Sequence, residues 1–171
     1  MTKPSAPQRA IDLWSQLVRA LDALQPLAAL AARVYVAQAF FLSGLTKIRD
    51  WDTTLALFTD EYKVPLLPPA LAALMGTTGE LVLPVLLVLG LGGRFAALGL
   101  TVVNAVAVVS LSEIAPAALQ QHVFWGALLA GLAVYGPGPW ALERAIWPRL
   151  QRLANAGASR TPEAAARAST S

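Results

Sequence analysis

Apolar residues run along this chain in long unbroken blocks, and each block has the length of a membrane crossing. A spanning helix needs about 20 mostly apolar residues. The blocks run from about Leu27 to Leu45, Leu71 to Leu91, Phe95 to Leu111 and Leu119 to Tyr135. Pro26, Pro68, Pro69 and Pro116 stand at or just outside the predicted starts, where a missing N–H does no harm. Gly92 and Gly93 predict a tight turn between the second and third helices, and Gly136-Pro137-Gly138-Pro139 predicts a sharp stop after the fourth. The pattern therefore predicts an all-α membrane protein with a four-transmembrane-helix bundle over residues 27–139.

The flanks follow a different period. In residues 1–26, Ile11, Trp14, Leu17, Val18, Leu21 and Leu24 fall on one helical face. Residues 140–153 repeat that arrangement with Trp140, Ile146, Trp147, Leu150 and Leu153. Both read as amphipathic interfacial helices that anchor on the membrane surface. The first is not a signal peptide, because Asp12, Arg19 and Asp22 interrupt any apolar core. Residues 154–171 are rich in Ala, Ser, Thr and Arg without a period, and read as a disordered basic tail. No internal repeat is visible.

Composition supports lipid as the solvent. The chain is 56% hydrophobic and 13% charged, against roughly 45–50% and 25% in typical soluble domains. Charges gather in the first 26 residues, in 47–63 and after 142. The absence of cysteine excludes disulfides, thiolate metal sites and dithiol chemistry. The net charge of +3 carries no basic-aromatic interleaving and no groove-reading motif, so nucleic acid is not an expected partner. Lys and Arg instead report topology. Lys3, Arg9, Arg19, Arg94, Arg144, Arg149, Arg152, Arg160 and Arg167 fall on one side, against Lys47, Arg49 and Lys63 on the other. That imbalance predicts both termini in the cytoplasm, with the 49–69 and 112–118 loops outside.

A few polar groups lie within the apolar blocks, and each needs a reason there. With a rise of about 1.5 Å per residue from Leu27, Arg33 falls about 9 Å deep and Gln38 near the midplane. Glu80 and Asn104 fall near the middle from their own helix starts. Arg33, Gln38, Glu80 and Asn104 thus form a candidate inner layer, with an Arg33–Glu80 pair as its expected core. Two readings of it stay open: a proton- or ligand-binding site, or a structural latch that fixes helix packing.

A second group clusters near the outer surface: Ser43, Lys47, Ser110, Glu113 and His122, with Trp51, Phe58, Tyr62, Phe124 and Trp125. The plain reading is interfacial, with a snorkelling lysine, a solvated histidine and an aromatic belt. The sharper reading is a quinone pocket contacted by Lys47, Glu113, His122, Trp51 and Trp125. A quinone wants a flat apolar slot and titratable donors beside its carbonyls. Asp50, Asp52, Asp60 and Glu61 match no metal-loop spacing, and Asp50-Trp51-Asp52-Thr53 reads as a helix N-cap, so no metal site is assigned.

These residues together resemble the DoxX family. Arg33, Phe40-Phe41-Leu42-Ser43-Gly44-Leu45-Thr46-Lys47, Gly79-Glu80, Pro84, Gly90, Arg94, His122 and Gly136-Pro137-Gly138 follow its order and spacing over roughly residues 30–143. The resemblance implies a small four-helix protein of the bacterial cytoplasmic membrane. Its relatives include a subunit of an archaeal thiosulfate:quinone oxidoreductase, and others are linked to membrane oxidoreductase complexes.

The leading expectation is a membrane subunit of a redox-linked complex that holds quinone near the outer interface. No haem-ligand pair, flavin motif or metal cage is evident in the sequence, so a protein partner is expected to supply electrons. The alternative is a non-catalytic scaffold whose Ala96-Ala97, Gly99, Gly126 and Ala130-Gly131 serve close helix packing. A small-solute or proton transporter stands third, since Pro84 is the one in-span proline and no pair of broken helices is seen.

Overall fold

The computed structural model describes residues 5–158, and these form six helices with no strand among them. Helix α1 spans Ala6–Arg49, α2 Trp51–Asp60, α3 Pro69–Leu89, α4 Gly93–Ser110, α5 Pro116–Tyr135 and α6 Leu142–Ala158. Four of them, α1, α3, α4 and α5, are long and apolar enough to cross a membrane. Large apolar side chains such as Phe95, Val102, Val123 and Val134 stand exposed around their outside. In lipid that surface is at home, so the chain is a multi-pass membrane protein in contact with the bilayer.

The four helices alternate in direction. Helix α1 packs on α3, α3 on α4, α4 on α5, and α5 closes the ring against α1. Lipid tails supply no hydrophobic drive for this, so close van der Waals contact has to. Gly44 and Gly99 show how: a Cβ at Gly44 would meet Leu81 at 2.9 Å, and one at Gly99 would meet Leu83 at 2.8 Å. A main core of Val36, Phe40, Leu87, Ala96, Ala97, Leu100, Leu129 and Leu132 fills the centre. A smaller one, Phe58 with Ala72 and Ala73, joins α2 to the first turns of α3.

Turns and caps form where the residue types predict. Pro68, Pro69 and Pro116 sit at helix starts. Asp50 caps α2, accepting from the Thr53 backbone N–H at 3.0 Å and from its hydroxyl at 2.7 Å. Gly90 ends α3 at φ +66°, a left-handed conformation that side chains resist.

Pro26 departs from expectation. It lies inside α1, which runs for 44 residues without a break, about 66 Å of rod against a hydrocarbon core of about 30 Å. The segment before it is therefore a continuation of the first spanning helix, in line with it. At the other end, α6 runs on to Ala158, so the start of the expected tail is helical; the rest of that tail, 159–171, lies outside the described residues. The N-terminal part of α1 and the start of α6 extend from the same end of the bundle, and α2 closes the opposite end.

Candidate functional site

At the α2 end the helices do not meet, and a cavity of about 400 Å³ remains between the two cores. Its wall is mostly apolar: Phe40 from α1, Phe58 and Tyr62 from α2 and the turn after it, Met75 from α3, Val103 and Val106 from α4. Lys47, Ser43, Glu80 and His122 interrupt that wall.

Lys47 stands in the last turn of α1 and points inward. Its ammonium donates to Glu80 Oε2 at 2.6 Å and to Ser43 Oγ at 2.9 Å. Gly44, level with Glu80, lets α1 and α3 come close enough for that reach. The Lys47 side chain is therefore a partly buried partner in a charge pair, where snorkelling would have taken it outward.

Across the cavity, His122 lies in the second turn of α5, because the helix begins at Pro116. Its Nδ1 is 2.8 Å from Asn104 Oδ1, and Asn104 Nδ2 donates to the His122 carbonyl at 2.9 Å. A Cβ on Gly126 would lie 3.4 Å from that amide nitrogen, so Gly126 leaves Asn104 its place. Trp125 stacks edge-on to His122 at 5.1 Å and tilts against Phe40 at 5.6 Å.

Helix α2 and the turn after it form a lid over the cavity, tied down by their own contacts. Thr54 Oγ1 donates to the Lys47 carbonyl at 2.9 Å, and the Lys63 N–H donates to the Ser110 carbonyl at 2.8 Å. Phe58 and Tyr62 pack edge to face at 4.9 Å. Burial first, then the negative charges of Glu61 and Glu80, push the Tyr62 hydroxyl above the usual phenol range.

The expected Arg33–Glu80 pair does not form. Arg33 is fully buried, and its Nη1 donates to the Val88 carbonyl at 3.2 Å. Val88 lies about 12 Å along α3 from Glu80. The carbonyl end of α3 and the nearby Glu143 carboxylate balance the guanidinium charge instead. Glu143 itself accepts from the Gly93 N–H at 3.1 Å, and its own N–H donates to the Gly90 carbonyl at 3.1 Å. The register accounts for the difference: α1 continues through Pro26, and the level of α3's end on α1 is at Arg33.

Other candidates separate as well. Gln38 is exposed on the outside of α1, so the four-residue inner layer does not exist as a unit. Asn104 belongs with His122. Glu113 and Trp51 are exposed and do not line the cavity. Phe124 is exposed and pairs with Tyr35 at 5.8 Å. Among the described residues no cluster of His, Cys, Asp and Glu could hold a metal ion. Among these same residues, Arg33 Nε and Nη2, Thr77 Oγ1 and Trp125 Nε1 are buried without a hydrogen-bond partner.

The model of the DoxX family matches residues 28–113, which carry α1 from Ala28, α2, α3, α4 and the Lys47–Glu80 pair. The chain belongs to the DoxX family. No curated protein and no solved structure matches it. In this DoxX protein the matched segment ends before α5, so His122 and Trp125 complete the cavity from outside the matched residues.

Proposed function

We propose that this DoxX protein is a small membrane subunit of a redox-linked complex, with both termini in the cytoplasm of a bacterial cell, and that its cavity holds a quinone or quinone-like lipid. The observation that carries this reading is the cavity itself. A mostly apolar space of about 400 Å³ lies within the range of small-molecule sites and is edged on facing sides by Lys47–Glu80 and by His122. An apolar slot takes the ring and the start of a tail, and the polar groups meet the ring oxygens. A protein partner in the same membrane exchanges electrons with the bound ligand.

Purified protein tests this directly. Organic extraction should release quinone in amounts comparable to the protein, and a short-chain quinone should titrate to saturation. Val106→Trp, which fills the cavity, should weaken the titration about tenfold or more, while Glu113→Ala should leave it unchanged. Protein that carries no quinone and binds none sinks the reading.

A scaffold role is the second reading, and one observation favours it. On α5, Ala127 and Ala130 are exposed, and a Cβ on Gly131 would meet nothing within 4 Å. Such a face admits close approach by another membrane helix. Under this reading Gly131→Leu abolishes recovery of a membrane partner, and His122→Ala does not.

A further inference from the structure

We infer that the cavity discriminates between the two redox forms of its ligand, and that His122, locked in one tautomer by Asn104, selects the hydroxyl-bearing form. The inference rests on the quinone-type reading of the cavity and adds to it which form is held.

The tautomer follows from the Asn104 amide. The His122 carbonyl can only accept, so the atom 2.9 Å from it must be the Asn104 NH₂. The amide oxygen is then the atom that faces His122 Nδ1, at 2.8 Å. That oxygen can only accept, so Nδ1 must carry the proton. Turning the amide over would set the Asn104 oxygen against the His122 carbonyl oxygen, a contact with no proton to share. A neutral imidazole protonated at Nδ1 bears a lone pair on Nε2. His122 lines the cavity, and Nε2 is the ring nitrogen not engaged by Asn104.

That lone pair decides what fits. A quinone carbonyl can only accept, so against Nε2 it finds two lone pairs facing each other. A quinol hydroxyl donates, so it makes a hydrogen bond at the same place. On the other polar wall, the ammonium does not discriminate. Lys47 offers an N–H, and both a carbonyl and a hydroxyl oxygen can accept it. Glu80 engages Lys47 through Oε2, and Ser43 also accepts from Lys47, so the other Glu80 oxygen can still accept from a hydroxyl. Preference for the reduced form thus draws on both acceptors, and the share fixed by a tautomer belongs to His122, with Asn104 as its positioning residue.

The experiment compares a decyl-substituted benzoquinone with its two-electron-reduced quinol, titrated anaerobically into the purified protein. The quinol is expected to bind about tenfold tighter or more. His122→Phe should cut the ratio of the two dissociation constants to about threefold or less, and Asn104→Leu should reduce it by freeing the ring. His122 is the chain's only histidine, so nitrogen-15 labelling of histidine gives one imidazole in the magnetic resonance spectrum. It should show Nδ1 protonated and Nε2 bare. Equal binding, tighter quinone binding, a doubly protonated ring or an Nε2–H ring overturns the inference and leaves the quinone-type reading standing. If neither form binds, it is the reading of the cavity that falls.

Discussion

Lys47 Nζ approaches Glu80 Oε2 to 2.6 Å across the α1–α3 contact, at the edge of a cavity otherwise lined largely by hydrocarbon. The two side chains keep only 18% and 10% of their surface. Removing one partner leaves the other charge without compensation in a poor solvent. Glu80→Ala should therefore destabilise the protein by about 2–3 kcal/mol, less than for a sealed pair because Lys47 keeps some exposure. The double change Lys47→Met with Glu80→Leu should recover most of that loss. Denaturation in mild detergent checks both, and a double variant no better than the single one refutes the pairing as a stability element.

Gly90 sets the opposite end of the bundle. At φ +66° it closes α3, and a Cβ there would lie 2.7 Å from the Ala141 backbone and 2.8 Å from Arg33 Nη1. Gly90→Ala should cost at least about 1–2 kcal/mol from backbone conformation alone, with the clash added. It should also loosen the segment that carries Glu143, whose N–H bonds the Gly90 carbonyl. Limited proteolysis after α5 should accelerate in the variant; an unchanged rate and melting point would contradict this account.

How much of this could be read in advance depends on the period of each signal. Four spans, their prolines at Pro68, Pro69 and Pro116 and the Asp50 cap are local patterns, and they appear in place; the turn expected at Gly92-Gly93 sits slightly earlier, over residues 90–92, with Gly93 opening α4. Which charges meet is not local. Arg33 and Lys47 are both cations on α1, and only the register of α1 against α3 chooses between them for Glu80. A proline such as Pro26 marks a helix start in one context and lies inside a helix in another, so it does not fix that register. Asn104 and His122 were both visible as candidates, but their pairing needed the α4–α5 contact and the space left by Gly126. Exposed Gln38 shows the same limit, since depth along a helix says nothing about which face a residue occupies.

Tyr62 makes the lid sensitive to alkali. Its hydroxyl is held above the ordinary phenol range by burial and by Glu61 and Glu80. A group raised in the folded state contributes stability that is fully present below its unfolded value, near 10, and is lost as pH rises through the folded one. The lid should thus hold through neutral pH and loosen only in strong base. The tyrosinate absorbance of the wild type minus that of Tyr62→Phe isolates this residue. A difference curve centred at or below the free-phenol value would show that Tyr62 is not buried against the cavity.

Helix α6 should lie on the membrane surface, with a preference for anionic lipid. Ile146, Trp147 and Leu150 recur at helical spacing, and Trp140 precedes the helix. Arg144, Arg149 and Arg152 supply positive charge, while the one acid, Glu143, is occupied by the Gly93 N–H. Each basic residue near an anionic surface contributes about 1 kcal/mol, screened by salt. Trp147, kept as the lone tryptophan by changing Trp14, Trp51, Trp125 and Trp140 to Phe, reports its own depth. In vesicles, lipids brominated near the headgroup should quench it more than lipids brominated near the tail end. Adding phosphatidylglycerol to phosphatidylcholine should deepen the quenching at low salt, and high salt should reverse the gain. Quenching that ignores both lipid charge and salt would mean that apolar contact alone seats the helix, and quenching by neither probe would mean that α6 stands away from the membrane.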